Sequence, residues 1–315
     1  MTGAGDSFRH RDTVGVSRRD VLAHLGLAAA VIAVQPLSAS MAAAQAADGA
    51  GAFVLPLRIT SLVHHIGISV RDVLKSAEFY SRVFGGSSVY GEKQPAVRYF
   101  ISFKPGDAAV DAGDIAIGKL GTLGSVGKTQ PLIDHLCVGA VAHDGAAWRA
   151  ALEREGIKAV GGGIFFDKDA IAIQVAGARD EQMSAGEVTK MPSLYSGPAL
   201  VKSTGFDHVM LRVTDPEASA QFYRKLLGLI PSSRQSGIVW FTDGDKVRLG
   251  LRKIVAGEEP GVDTYGVKVA AFDRAKVADG LRKLGATVTQ MDAEGPSASL
   301  QFADIDGIKS MLTST

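Results

Sequence analysis

Two stretches, His65-Ile-Gly-Ile-Ser-Val-Arg-Asp72 and Asp207-His208-Val-Met-Leu-Arg-Val-Thr-Asp215, carry the reading that decides the fold. Each is a short apolar strand ending in Asp, and each runs into an amphipathic stretch of about three turns that closes on Gly, at Gly85 and Gly228. Working outward, the same pattern returns twice more, from Asp144 to Gly156 and from Asp273 to Gly285. Asp is a favoured helix N-cap because its carboxylate accepts the orphan amide hydrogens of the first turn. Gly suits the left-handed residue that ends a helix. His65 and His208 each stand 7 residues before their Asp, whereas His135 and Thr264 each stand 9 before theirs. The copies therefore alternate in type, A, B, A, B, and three of the four begin with a His at the equivalent point.

Each copy continues into further strand-like runs. These are Ser87–Tyr90, Val97–Phe103 and Asp114–Leu120 in the first copy, and Ile157–Val160, Ile164–Phe166 and Ala170–Ala176 in the second. The third offers Ile230–Ser233, Ile238–Thr242 and Lys246–Ile254, and the fourth Thr287–Met291, Ala298–Phe302 and Ile308–Leu312. The unit is βαβββ, written four times, which predicts an α+β fold of two domains with curled mixed sheets. Residues 60–176 form the first domain and 205–315 the second; 177–204, polar and carrying Pro192 and Pro198, reads as the linker.

Strand neighbours point to opposite faces. In the first strand Ile66, Ile68 and Val70 form one face, which covers the helix; His65, Gly67 and Ser69 form the other. Uninterrupted alternation puts His64 on the helix side and directs His65 and His135 into a hollow on the far side. Small residues share that hollow face (Gly67, Ser69, Gly118, Cys137 and Ala172), which leaves room for a ligand.

The first 47 residues read as a twin-arginine signal peptide. Ser17-Arg18-Arg19-Asp20-Val21-Leu22 precedes an apolar run to Val34, and Ala44-Gln45-Ala46 fits a small-x-small cleavage site. The run is too short for a stable membrane anchor. The expectation is a periplasmic or secreted protein, handled by the twin-arginine export machinery. The single cysteine, Cys137, forms no intramolecular disulfide. A net charge of +1, without a basic stripe, excludes nucleic acid as the expected partner. Four modules in one chain predict a monomer or dimer.

The quoted strands, with Glu78-Phe79-Tyr80, Phe84-Gly85-Gly86, Gln221-Phe222-Tyr223 and Leu227-Gly228-Leu229, resemble the vicinal oxygen chelate superfamily: glyoxalase I, bleomycin-resistance proteins and extradiol dioxygenases. Asp167-Lys-Asp-Ala-Ile-Ala-Ile-Gln174 and Asp304-Ile-Asp-Gly-Ile-Lys-Ser-Met311 are similar to its closing motif. The resemblance spans residues 62–313 and implies metal ligands at His65, His135 and Gln174, with Gly118 at a position that has no side chain to offer. In the second domain the matching positions are His208, Gly250, Thr264 and Met311, a degenerate site. Extradiol dioxygenases carry a Glu where this chain has Gln174. The amide oxygen is a weaker ligand and leaves one negative charge missing.

The resemblance thus implies a small-molecule substrate with adjacent oxygens and a divalent metal, Fe(II) or Mn(II) ahead of Zn(II) or Ni(II). Ring cleavage comes first among reactions, isomerisation or lyase chemistry next. The alternative is a metal-free binding or sequestration protein of the bleomycin-resistance type. The catalytic acid or base is not assigned; Tyr99 is a candidate if its ring faces the hollow, and Glu92 and Asp114 are candidates only if their loops fold inward.

Overall fold

The protein is described from a computed structural model that covers residues 58–85, 89–91, 98–103, 114–141, 145–160, 163–176, 189–191, 194–244, 247–291 and 299–314. The signal-peptide reading, Asp144 and Glu92 lie outside these residues. Among the described residues the strands form two eight-stranded mixed sheets. The first holds β1 (Arg58–Val70), β2 (Val89–Gly91), β3 (Arg98–Ser102), β4 (Asp114–Lys119), β5 (Leu132–Val141), β6 (Ile164–Phe166), β7 (Ala172–Ala176) and β8 (Thr189–Met191), in the order β6-β7-β5-β1-β4-β3-β2-β8.

The second sheet holds β9 (Ser203–Val213), β10 (Ser233–Gln235), β11 (Ile238–Thr242), β12 (Arg248–Lys253), β13 (Gly261–Val269), β14 (Thr287–Met291), β15 (Ser299–Ala303) and β16 (Lys309–Ser314). Its order is β10-β11-β12-β9-β13-β16-β15-β14. Read backwards, its run from β15 to β10 matches the run from β6 to β2 of the first, with β1 and β5 answering to β9 and β13, while β8 and β14 have no counterpart. Both sheets are open, and together they form the two-domain, glyoxalase-like α+β fold. Two details depart from expectation. Ile157–Val160 contributes only an isolated bridge, Ala159 to Phe165, and the stretch read as a linker supplies β8, which pairs with β2.

Among the described residues the α-helices are α1 (Val73–Phe84), α2 (Gly145–Arg154), α3 (Pro216–Leu227) and α4 (Arg274–Lys283). Asp72 caps α1 by accepting from the Lys75 amide, Asp215 caps α3 and Asp273 caps α4. Gly85 and Gly228 end α1 and α3 in the left-handed conformation, at φ 70° and 67°, where a side chain would be strained.

One apolar core runs through both sheets. It is closed by a reciprocal pair of hydrogen bonds between the halves. The Tyr80 hydroxyl on α1 donates to Asp304 at 2.7 Å, and the Tyr223 hydroxyl on α3 donates to Asp167 at 2.5 Å. Phe79 also meets Phe302, and Phe103 meets Phe206 edge-on at 5.0 Å. Among the described residues no helix is long and apolar enough to cross a membrane.

The two central strand pairs, β1 with β5 and β9 with β13, are interrupted by bulges. Between the pairs Gly67–His135 and Ile68–Ile133, β5 carries one residue more than β1, and that residue is Asp134. The second sheet repeats this with Asp263 and Asp207. Near His65 the insertion is larger: β1 takes four steps from Ser61 to His65 while β5 takes two from Gly139 to Cys137. A bulge re-aims the side chain that it carries. So the residue just before each of the four equivalent positions (His65, His135, His208 and Thr264) leaves the strict alternation.

Candidate metal centre

His65 and His135 project from neighbouring strands onto the same face, and their Nε2 atoms lie 3.1 Å apart. Both rings are buried and meet edge to face, 5.2 Å between centroids. Behind His135 stands the bulged Asp134. Its Oδ1 lies 2.7 Å from His135 Nδ1, and its Oδ2 accepts from the Ser69 hydroxyl at 2.8 Å. A carboxylate accepts, so Nδ1 carries the proton and Nε2 presents its lone pair towards His65.

Behind His65 the partner is His64, with the two Nδ1 atoms 3.0 Å apart. This corrects the expectation that His64 faces the helix. The two residues inserted into β1 break the alternation and bring His64 round to its neighbour.

Gln174 stands on β7 opposite Cys137, which itself pairs with His65. Paired residues share a face, so Gln174 lies on the face of the imidazoles, and its Oε1 is buried. Two ligands about 2.1 Å from one ion at a right angle lie about 3 Å apart, which is the Nε2 separation seen. The donor set of two imidazoles and an amide, with one carboxylate fixing a tautomer, suits a divalent ion. The residues therefore fit a divalent metal ion.

Of the residues expected to line the hollow, Ser69 is committed to Asp134, and Gly118 stands opposite Ser69 on β4. Ala172 is buried on β7, on the face of Gln174. Gly67 is no open wall: it lies under the His135 ring, and a methyl there would overlap the ring and Asp134. Gly67→Ala should therefore turn His135 out of line. We expect divalent-metal affinity to fall by about 10–100-fold, the usual cost of disturbing a ligand's support, together with a lower melting temperature, because the buried ring and Asp134 must give way. Isothermal titration with Mn(II) beside a thermal melt checks it.

Tyr99 does not face the hollow. It pairs with Ile117, whereas Phe100 pairs with Ala116 on the site's side, 6.3 Å from the His65 ring. The sequence Tyr99-Phe-Ile101 is apolar on both faces, so it carries no alternation to read. Asp114, buried, pairs with His65 at the start of β4. Asp134 and Phe100 were missed. The Asp134-His135 and Asp207-His208 dipeptides were the available signal for the former.

In the second domain His208 Nδ1 lies 2.7 Å from Asp207, which also accepts from Arg248 at 2.8 Å. Thr264 pairs with Met210, and Met311 with Gly266. Space is taken up: a methyl on Gly250 would meet Trp240 at 2.7 Å and the Met210 sulfur at 2.8 Å. Asp263 binds Arg212 and Arg252, at 3.3 and 2.7 Å.

Burial alone would raise the Asp207 carboxyl, but the hydrogen bonds from His208 and Arg248 outweigh it and hold the group at about 2. A lowered carboxyl stabilises the fold above its unfolded value of 3.8, and that stability is lost as pH falls towards about 2. Asp207→Asn should lose less stability over that acid interval than the parent. Melting curves from pH 5 to about 2 test this.

Residues 205–311 match the Glyoxalase/Bleomycin resistance protein/Dioxygenase superfamily. No protein of curated function matches the sequence. Among solved structures, the chain is similar to the Mn(II)-bound glyoxalase from Novosphingobium aromaticivorans, with a TM-score of 0.57, 17% identity, and coverage of 82% of this chain and 83% of that one. It is also similar to the 2,3-dioxygenase LapB from Pseudomonas sp. KL28 (TM-score 0.54, 12% identity, 82% and 94%). A third is homoprotocatechuate 2,3-dioxygenase from Arthrobacter globiformis (TM-score 0.53, 15% identity, 82% and 80%). At these identities the likeness speaks for the fold.

Proposed function

We propose that the N-terminal domain is a divalent-metal site acting on a small molecule with two adjacent oxygens, with extradiol-type ring cleavage ahead of isomerase or lyase chemistry. The observation that carries the reading is the convergence of His65 Nε2 and His135 Nε2 at 3.1 Å, with Asp134 fixing the second imidazole. The similar structures include an Mn(II)-bound glyoxalase and 2,3-dioxygenases, which supports it. His65, His135 and Gln174 would hold the ion, which when bound polarises paired substrate oxygens as a Lewis acid.

The chain's own residues do the rest. Asp134 keeps His135 in one tautomer, and Ser69 holds Asp134 in turn. The Phe100 edge beside His65 offers apolar surface to a flat ring. The degenerate second domain supports the first through the tyrosine–aspartate contacts.

Elemental analysis of the mature protein tests the reading. About one equivalent of Fe or Mn, with oxygen uptake on adding a catechol, is the expected result. No bound metal, together with uptake of an intact hydrophobic compound, favours the sequestration protein, a reading to which the neutral Gln174 lends support. The twin-arginine stretch at Ser17–Leu22 supports export. Cell fractionation, with the mature N-terminus near residue 47, tests that part.

A further inference from the structure

We propose that His64, His65 and Cys137 form a Zn(II) site beside the His65–His135 pair. One ligand atom from each of the three lies within 4.8 Å of the others. His135 and Gln174 take no part, whereas His65 is shared with the function proposed above. The His65 ring is where the two sites meet: its Nε2 faces His135 and its Nδ1 faces His64.

The two-residue insertion in β1 creates the cluster. It turns His64 towards His65, and His65 pairs with Cys137 across the strands. Cys137 is fully buried and in no disulfide; its thiol lies 3.6 Å from the Val138 carbonyl and also bonds to the backbone at Ala176. His64, half-buried, gives a route in from solvent.

Ligand chemistry selects the ion. A thiolate with two imidazoles is a soft to borderline set that suits Zn(II), whereas imidazole with oxygen donors suits Mn(II) and Fe(II) equally well. Tetrahedral Zn(II) with bonds of about 2.0–2.3 Å sets its ligand atoms about 3.3–3.7 Å apart, so closure asks only for side-chain adjustment. Three protein ligands leave the fourth tetrahedral position open. Binding exchanges the thiol proton for the metal, forming the sulfur–zinc bond and releasing the proton to solvent.

The internal repeat shows that this corner is special. The equivalents of His64, His65 and Cys137 in the second domain are Asp207, His208 and Gly266, a set without sulfur. On the opposite side of the first domain, Asp134 and His135 face Gly67. Only one of the four corners carries a thiol.

The test uses the reduced, metal-free full chain and metal ions alone. Co(II) is added anaerobically and followed by its thiolate charge-transfer band, then displaced with Zn(II). The band is expected in the parent and in His135→Ala, and is lost in His64→Ala and Cys137→Ala. Zn(II) affinity in those two should drop beyond the roughly 10–100-fold carried by a ligand's supporting partner. Zinc X-ray absorption on the parent needs no variant; one sulfur at about 2.3 Å beside nitrogen is expected. A shell without sulfur, or a band that survives Cys137→Ala, overturns the proposal. A His135→Ala protein with undiminished Mn(II) affinity would instead sink the function proposed above and leave this site untouched.

Discussion

His135→Ala should cost more than a hundredfold in Mn(II) or Fe(II) affinity and remove turnover with it. The substitution takes away one of two imidazoles that meet at 3.1 Å, and leaves Asp134, which Ser69 still holds, facing the gap. Asp134→Asn should cost less, about 10–100-fold, since the ligand stays but its tautomer is no longer dictated. A graded series, with Asp134→Asn between the parent and His135→Ala, is the signature of ligand and support acting together. Equal affinities across the three proteins would mean that the imidazoles pack the interior and hold nothing.

Asp304→Ala is expected to lower stability by about 3–5 kcal/mol, among the largest effects of any single change in the chain. The carboxylate accepts from the Tyr80 hydroxyl at 2.7 Å and from the amides of Asp306 and Ile308 at 2.9 and 2.7 Å. Its removal strands three donors, two of them buried, at about 1–3 kcal/mol for each buried group left unpaired. The loss corresponds to a drop of roughly 10 °C in melting temperature at about 2–4 °C per kcal/mol. Asp167→Ala should behave alike, because Asp167 holds Tyr223 and the amides of Asp169 and Ile171 in the same way.

Burial raises both carboxyls, with the hydrogen bonds only partly offsetting it. Their share of stability is therefore greatest below the unfolded value of 3.8 and diminishes as pH rises through the folded one. Asp304→Asn, which keeps an acceptor without the buried charge, should be milder than Asp304→Ala. Thermal melts of the three proteins decide this; equal melting temperatures would refute the account.

The order of elements was legible because it rests on local chemistry repeated four times. Asp72, Asp215 and Asp273 cap helices and Gly85 and Gly228 close them, all within one turn of the chain. The pairing of His65 with His135 followed from strand parity and the family resemblance.

What escaped depends on contacts between strands. Parity holds only along an unbroken ladder, and bulges put His64 and Asp134 where parity forbids them. The Tyr80–Asp304 and Tyr223–Asp167 contacts join residues more than 50 positions apart. Nothing local in Glu78-Phe-Tyr80 announces the acceptor. Tyr99 was ambiguous because its neighbours are apolar on both sides.

The reciprocal tyrosine–aspartate contacts set an order of events during synthesis. Tyr80 emerges from the ribosome 224 positions ahead of the carboxylate that receives it. Until the last two strands are made, the Tyr80 hydroxyl lacks its carboxylate and the Phe79 ring lacks Phe302. A nascent chain halted before residue 300 should therefore be a target for chaperones and proteases.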